Sequence, residues 1–298
     1  ISGVAADGVT GAFTVTSALS AAQIDALLGK TATGATVTIT ATGMSAAQLS
    51  AVEDNMTKVD DIDSISITSS QSAAEITALL AEADDNAALV DTSGMSTAQI
   101  TAVNGSVTKI NASGLTNLTL TSSQSAAEIT ALLADDSVAN TSVSVNANGM
   151  STAQLVAVNG GIAKIAADGI TGAVALDADG TGITAAVVTS FLGKTSTDAV
   201  VTVDATSAAT DILEALSGSI AKVDNITSLT LTATEETAEI GNLLGKATAA
   251  AVNAASMSAA DLAAVADNIS GVAADGVTGA FTVTSALSAA QIDVLLGK

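Results

Sequence analysis

Apolar side chains follow two alternating periods along this chain. In short segments they recur at positions i, i+3 and i+4, as at Ile24, Leu27 and Leu28, which is the spacing of one apolar helix face. In the segments between them, such as 36–40 and 64–68, valine or isoleucine alternates with threonine or serine. That period of two predicts strands with one buried face and one hydroxyl-lined face. Strands that alternate with helices in this way are predicted to lie parallel.

Most of the predicted helices begin at a residue suited to cap them. Ser20 can accept a hydrogen bond from the backbone N–H of Gln23, and the Gln23 side chain can reach back to the N–H of Ser20, which forms a capping box. Leu19 and Ile24 flank this box as a hydrophobic staple. The predicted helix starts are Ser20, Ser45, Ser72, Ser96, Ser125, Ser151, Thr184, Ser258 and Ser288, with two degenerate starts near Ala209 and near Glu236.

These starts recur about every 26 residues and match best in pairs of about 52 residues. One member of a pair ends in Leu-Leu-Gly-Lys or a relative of it, and the other begins with Gly-Met-Ser. We therefore predict an α/β repeat solenoid of about eleven strand-helix units with a parallel sheet. In unit length it resembles leucine-rich-repeat solenoids, and we expect one tandem-repeat domain over residues 1–298.

Glycine and lysine mark the predicted helix ends. We expect Gly29, Gly193, Gly245 and Gly297 to adopt a left-handed turn at the C-terminus of a helix. All eight lysines lie at or just past these ends, where a cation complements the negative end of the helix dipole.

The two ends of the chain carry nearly the same sequence. Residues 1–30 and 269–298 are identical except that Ala26 is replaced by Val294. Such a match, 268 residues apart, indicates duplication of long blocks. We expect the chain to be a fragment of a longer repeat protein, or its ends to stack on one another as an end-to-end homopolymer.

Composition narrows the possible functions. Apolar residues make up 48 % of the chain but only three are aromatic, and there is no Pro, His, Trp, Tyr, Cys or Arg. The usual proton shuttle and thiolate nucleophile are both missing, so we expect no enzyme activity. A net charge of −22 argues against nucleic acid and against an anionic membrane as partners. No apolar run is long enough for membrane insertion.

Three features have a candidate chemistry. Asp177, Asp179 and Thr181 alternate in a glycine-containing loop that resembles a calcium loop, so calcium is the one cofactor considered, although an acidic turn explains the same residues. The pairs 60–61, 84–85 and 135–136 could act as general acid and base, but solvated turn aspartates explain them better. The regularly spaced threonines of the strands could order water at an ice surface, or simply suit an exposed sheet face.

The tandem Ser-Ala-Ala-Gln/Glu-Ile blocks, the threonine-rich strands and the acidic, cysteine-free composition together resemble a known class of sequence. They are similar to the repeat regions of giant bacterial surface proteins, such as the very large cell-surface proteins of marine cyanobacteria that are tied to swimming. This resemblance implies a secreted protein that is surface-attached or filament-forming and that tolerates seawater salt. Salt at that concentration would screen its net charge.

The sequence therefore predicts a structural, self-assembling extracellular filament or cell-surface repeat protein, whose partner is itself. The alternative is a surface adhesin or an ice-binding protein that uses the threonine-rich face of the sheet.

Overall fold

The computed structural model describes residues 2–140, 142–180 and 182–298. The chain divides into two compact units, residues 1–144 and 145–298. In the described residues helices alternate with one strand, or with two successive strands at 110–120 and 165–177, as the apolar periods broadly predict. The helices are α1 Ala21–Leu28, α2 Ala46–Glu53, α3 Ala73–Glu82, α4 Thr97–Asn104, α5 Ala126–Ala134, α6 Thr152–Gly160, α7 Ala185–Lys194, α8 Thr210–Gly218, α9 Thr237–Leu244, α10 Ala259–Asp267 and α11 Ala289–Leu296.

The strands pair in the order in which they occur along the chain. The first unit contains a five-stranded sheet of order β1-β2-β3-β4-β5, and the second a five-stranded sheet of order β9-β10-β11-β12-β13. The pairs in both sheets are parallel. The strands are β1 Ala12–Thr16, β2 Thr36–Thr40, β3 Asp61–Ile67, β4 Ala88–Asp91, β5 Ile110–Thr116, β6 Thr119–Leu120, β7 Val143–Asn146, β8 Ile165–Thr171, β9 Ala173–Asp177, β10 Val200–Ala205, β11 Asn225–Leu231, β12 Ala250–Asn253 and β13 Val272–Thr278.

Each helix also packs against the next helix of its unit, as α1 does on α2 and α10 on α11. Within each unit the layers thus stack in sequence order, which is the arrangement of an α/β repeat solenoid. The predicted fold class is confirmed. Whether 1–298 forms the single domain that the repeat pattern predicts stays a prediction.

The predicted helix starts are confirmed at all eleven positions, because each predicted residue is the N-cap of a described helix. At α1 the Ser20 hydroxyl accepts from the Gln23 N–H at 3.3 Å, and the Ser20 N–H donates to Gln23 Oε1 at 2.8 Å. Ala209 offers no side-chain cap to α8. The caps are therefore the strongest local signal in the sequence.

The prediction for the glycines is wrong. Gly29 and Gly245 have φ of −62° and −61°, Gly297 has φ of −87°, and Gly193 lies inside α7. At Gly29 and Gly245 the N–H donates to a carbonyl of the helix, which continues the right-handed turn. Left-handed glycines occur instead before the methionine of the Gly-Met-Ser repeats, at Gly43, Gly94 and Gly149, with φ of 70° to 75°.

Four lysines end a short 3₁₀ turn that follows a helix, at Lys58, Lys109, Lys164 and Lys222. Lys222 donates from Nζ to the backbone carbonyl of Thr195 in the preceding layer at 2.6 Å. Lysine thus joins adjacent layers as well as lying near a helix end.

The core is built mainly from aliphatic side chains, one set from the inner face of the strands and one set from the helices. Strand residues such as Val37 and Ile39 and helix residues such as Leu28 are fully buried, and Phe191 is the largest buried side chain of the second unit. Because each layer packs mainly on its neighbours, small aliphatic side chains are enough to fill the space between helices and sheet.

Candidate functional site

The outer face of the first sheet carries the threonines that the sequence singled out. Thr14 of β1 lies beside Thr38 of β2, and Thr16 lies beside Thr40, in parallel register. Thr14 and Thr16 are exposed, whereas Thr38 and Thr40 are half-buried. These four hydroxyls form a regular array across two strands.

The array does not continue across the sheet. In β3 the neighbours of Thr38 and Thr40 are Asp61 and Ser64, after a shift of register at Thr40. On β4 the outward position is Leu89, which is 51 % exposed. The second unit carries Val200, 56 % exposed, on the edge-adjacent strand β10. In the first sheet the regular threonine array therefore ends at β2.

An acidic cluster lies next to this array. Carboxylate oxygens of Asp61, Asp63 and Asp84 lie within 4.8 Å of one another, and Asp63 and Asp84 are exposed. Asp61 and Asp63 share one face because they alternate along β3, and the N–H of Asp84 donates to the carbonyl of Ile62. These three oxygens could hold a hard cation such as calcium. The sequence analysis named Asp61 and Asp84 as members of aspartate pairs and missed Asp63. The Asp-x-Asp spacing of residues 61–63 at the start of a strand could have indicated it.

The predicted calcium loop places Asp177 at the end of β9 and Asp179 in the turn that follows it. Both are exposed. Asp179, which shares a hydrogen bond with Asp177 and repels its charge, raises the pKa of the Asp177 carboxyl, and Asp204 on the neighbouring strand adds to the repulsion. Thr181 lies outside the described residues. Asp177 and Asp179 are thus adjacent carboxylates, and calcium binding by them stays a prediction.

Members of all three aspartate pairs form hydrogen bonds or ion pairs with the backbone or with lysine. Asp60 Oδ2 accepts a hydrogen bond from the N–H of Val37 at 2.7 Å, and Asp224 bonds Val201 in the same way in the second unit. Asp85 forms an ion pair with Lys109 at 3.1 Å. Asp135 Oδ1 accepts from the N–H of Ser137. Asp85, Asp135 and Asp136 lie in turns or bends, as interpreted, whereas Asp61 is the first residue of β3.

A polar groove of about 640 Å³ lies in the first unit, between the turn that precedes α4 and the strand segment around β6. The residues that line it include Thr92, Thr119 and Ser144. Asn117 stands at its margin with a left-handed backbone (φ 57°) and donates to Asp91 Oδ1 at 2.9 Å. This bond lowers the pKa of the Asp91 carboxyl. Sequence reasoning missed the groove, because a pattern along the chain does not show a gap between layers.

In the part of the chain that the structure describes, no helix has the length and apolarity that a bilayer crossing requires.

Comparison with models of protein families gives no match for this chain. Comparison with curated proteins gives none either. Among solved structures, the chain is similar to the leucine-rich-repeat-containing protein LegL7 from Legionella pneumophila, with 13 % sequence identity over 100 % of this chain and 93 % of that one, and a TM-score of 0.24. At that score the likeness carries no argument, so the fold assignment depends on the strand pairing described above.

Proposed function

We propose that this protein is a structural, self-assembling repeat protein of the cell exterior, which forms a filament or part of a surface layer. The observation that carries the proposal is the pairing of strands in sequence order, because such a sheet can gain a layer at its edge without closing on itself. The role is mechanical and not catalytic, and the partner is another copy or further repeats of the same kind.

The charge of the chain supports an extracellular location in salt water. A net charge of −22 makes two copies repel each other. The Debye length falls from about 30 Å at 0.01 M salt to about 3 Å at 1 M, so the repulsion becomes short-ranged in concentrated salt. We propose that assembly takes place outside the cell under such conditions.

Negative-stain microscopy and sedimentation velocity of the purified chain test this proposal. We expect linear assemblies that lengthen as salt is raised from about 0.01 M to about 0.5 M, because the repulsion is screened. Monodisperse particles of a single chain at every salt and protein concentration would contradict it.

A surface adhesin is the second candidate, and the polar groove favours it. A lining rich in threonine and serine, with the two amides Asn117 and Gln124, suits an uncharged, hydrogen-bonding ligand such as a glycan. Titration with a panel of soluble glycans, monitored by calorimetry, would show binding that Thr119→Val weakens if the groove is used. Ice binding is another form of this second candidate, and it would use the exposed Thr14 and Thr16. Thermal hysteresis of the chain, and loss of that hysteresis in Thr14→Leu, would test it.

Calcium is the one cofactor that we propose to test. Its candidate residues are Asp177 and Asp179, and the Asp61 cluster offers a second acidic position. A calcium-dependent rise in unfolding temperature that magnesium does not reproduce would support a specific site, and Asp177→Asn would show whether it is the predicted one.

A further inference from the structure

One side of the polar groove is an open strand edge. The N–H of Ser144 on β7 donates to the carbonyl of Leu118 at 2.9 Å. Successive peptide groups of a strand point to opposite sides, so the N–H and the carbonyl of the next residue, Thr119, point away from β7 and toward the groove that Thr119 lines. Thr119 is exposed, and β6 is the edge strand of its sheet. One residue of backbone therefore offers the groove both a donor and an acceptor.

The open edge is limited to this one residue. The N–H of Thr121 donates to Gln124 Oε1 at 2.7 Å. Asn117, whose backbone is left-handed, interrupts the strand on the other side. A peptide that bound by adding a strand would need several successive ladder bonds. The edge therefore favours a ligand that meets a single N–H and a single carbonyl over an extended peptide.

The rest of the lining indicates what surrounds these two backbone groups. Most of the lining residues are threonine or serine, and none of the described residues that line the groove is charged. Met95 and Ile100 are the apolar side chains of the lining. A ligand that fits this lining is uncharged and rich in hydroxyls, and it carries a small apolar group for Met95 and Ile100.

We propose that the polar groove binds an uncharged glycan through the acetamido group of an N-acetylated amino sugar. The acetamido carbonyl accepts from the Thr119 N–H, a neighbouring sugar hydroxyl donates to the Thr119 carbonyl, and the acetamido methyl contacts Met95 and Ile100. This inference rests on the adhesin function proposed above as the second candidate, and it names the ligand class of that groove.

The second unit contains a strand residue that corresponds to Thr119. The N–H of Val200 donates to the carbonyl of Gly172 at 3.1 Å, which places the peptide groups of Ala175 on the side away from β10. The groove that Ala175 lines has a volume of about 310 Å³, and its lining includes the exposed Asp177 and Asp204. That groove is smaller and acidic, so we expect the neutral sugar to bind at Thr119 and not at Ala175.

Calorimetric titration of the full chain with two matched sugars tests the ligand class. One is a linear trisaccharide of N-acetylglucosamine, and the other is the glucose trisaccharide of the same linkage, which has a hydroxyl in place of each acetamido group. We expect the dissociation constant of the acetamido sugar to be at least about tenfold lower. A short extended peptide with blocked ends is titrated alongside them.

The outcomes separate the ligand class from the adhesin function. Equal affinity for the two trisaccharides overturns the acetamido assignment and keeps the adhesin, and so does binding of other neutral glycans without either trisaccharide. Binding of no glycan at all rejects both proposals. A peptide that binds more tightly than the acetamido sugar assigns the groove to peptides and overturns the proposal.

A proline substitution tests the backbone donor. Thr119→Pro removes the N–H that points toward the groove and leaves the ladder bonds to β7 in place. The preference for the acetamido sugar should fall from at least about tenfold to about one. Thr119→Val keeps the N–H and should keep the preference, although both sugars bind more weakly. Ala175→Pro is the matched control and should change neither affinity. A preference that survives in a folded Thr119→Pro chain overturns the proposal.

Hydrogen exchange of the unmodified chain, measured by nuclear magnetic resonance, gives a readout that does not depend on the folding of a variant. Exchange of the Thr119 amide should slow by at least about tenfold when the chain is saturated with the acetamido trisaccharide, because its N–H then has an acceptor. Bound acetamido sugar that leaves the exchange of this amide unchanged would lie elsewhere, and that result overturns the proposal.

Discussion

At the residue scale, the third residue of several helices makes two kinds of contact, one within its own helix and one with the preceding layer. Gln48 caps its own helix at Ser45 and also donates to carbonyls of the preceding layer. Gln99 does the same toward Ser69, at 3.1 Å. Glu128 accepts from the hydroxyl of Thr101 on the preceding helix at 2.8 Å. A single side chain therefore stabilises both a helix start and the contact between two layers.

The acidic members of this set predict a specific pH dependence. The N–H of Ser72 donates to Glu75 and lowers its pKa below the ordinary value of 4.5, and the N–H of Ser125 followed by the Thr101 hydroxyl lowers that of Glu128. Carboxylates with a lowered folded-state pKa contribute stability above 4.5 that is lost as the pH falls through their folded-state values.

We therefore expect Glu75→Gln with Glu128→Gln to change the free energy of unfolding by less than about 1 kcal/mol at pH 7 and to flatten its decline below about pH 4.5. Glutamine keeps the capping box, as Gln23 shows. Urea unfolding from pH 7 to pH 3 checks this, with Asp198→Asn, an exposed residue, as the control. A decline as steep as in the original chain would refute it.

The Asp177–Asp179 pair predicts the opposite sign. The pKa of Asp177 is raised, so its contribution to stability is present at low pH and is lost as the pH rises through the folded-state value. Asp177→Asn should therefore be more stable than the original chain at pH 7 without calcium, and the difference should vanish near pH 3. Thermal unfolding in a chelator measures it, and a less stable variant at pH 7 would count against repulsion as the cause.

At the scale of the element, glycine fixes the shape of the wide bulges. Opposite Ala88 and Val90 of β4, strand β5 runs from Ile110 to Leu115, so three extra residues bulge out of the ladder. Ser113 there has φ of 60°. A Cβ on the next residue, Gly114, would lie 2.8 Å from the carbonyl oxygen of Asn111, which leaves room for no side chain.

Gly114→Ala should therefore destabilise the chain by about 1–3 kcal/mol, because the new Cβ meets backbone atoms that cannot move away cheaply. Gly105→Ala is the matched control: its φ is −64° and the nearest atom to a new Cβ would be 3.5 Å away. That control should be neutral or more stable by up to about 1 kcal/mol. Denaturant midpoints of the two variants decide, and equal values would rule out the steric account.

At the scale of the whole molecule, the duplicated block, residues 1–30 and 269–298, shows how a layer depends on its neighbours. Residues 12–16 form β1 because β2 pairs with them, whereas 280–284 carry the same sequence without strand structure. Conversely, Val272–Thr278 is a strand paired with β12, while the matching residues 4–10 form no strand and contain a turn at residues 6–7 and an isolated bridge at Val9.

Hydrogen exchange of the unmodified chain at low concentration should display this difference directly. We expect amides 13–16 to exchange at least about tenfold more slowly than amides 281–284, because only the first set has a ladder partner. Mass spectrometry distinguishes the two sets in peptides that reach Ala26 or Val294, or that extend beyond the duplicated block. Equal rates would show that the block forms its strand without a neighbour.

Local signals explain which features could be predicted. Capping boxes and the two apolar periods involve residues at most four positions apart, so the helix starts and the parallel α/β repeat follow from short stretches of sequence. The glycines of Leu-Leu-Gly-Lys were predicted incorrectly, because a 3₁₀ or α-type continuation satisfies the same helix carbonyls without a left-handed residue.

The candidate sites were less predictable, because their residues are far apart in the sequence and not within one short stretch. The Asp61 cluster combines residues of two layers, and the groove beside Asn117 is a space between layers. The distances that define both features depend on register, which shifts at the bulges.

By itself the sequence determined the repeating unit: where each helix begins, which face of each strand is buried, and the order of stacking. Only the tertiary structure decided which copy of an identical block is a strand and which carboxylates meet. The physical reason is that a strand's hydrogen bonds and a layer's apolar contacts are made with the next layer, so their free energy belongs to the pair of layers and not to either sequence alone.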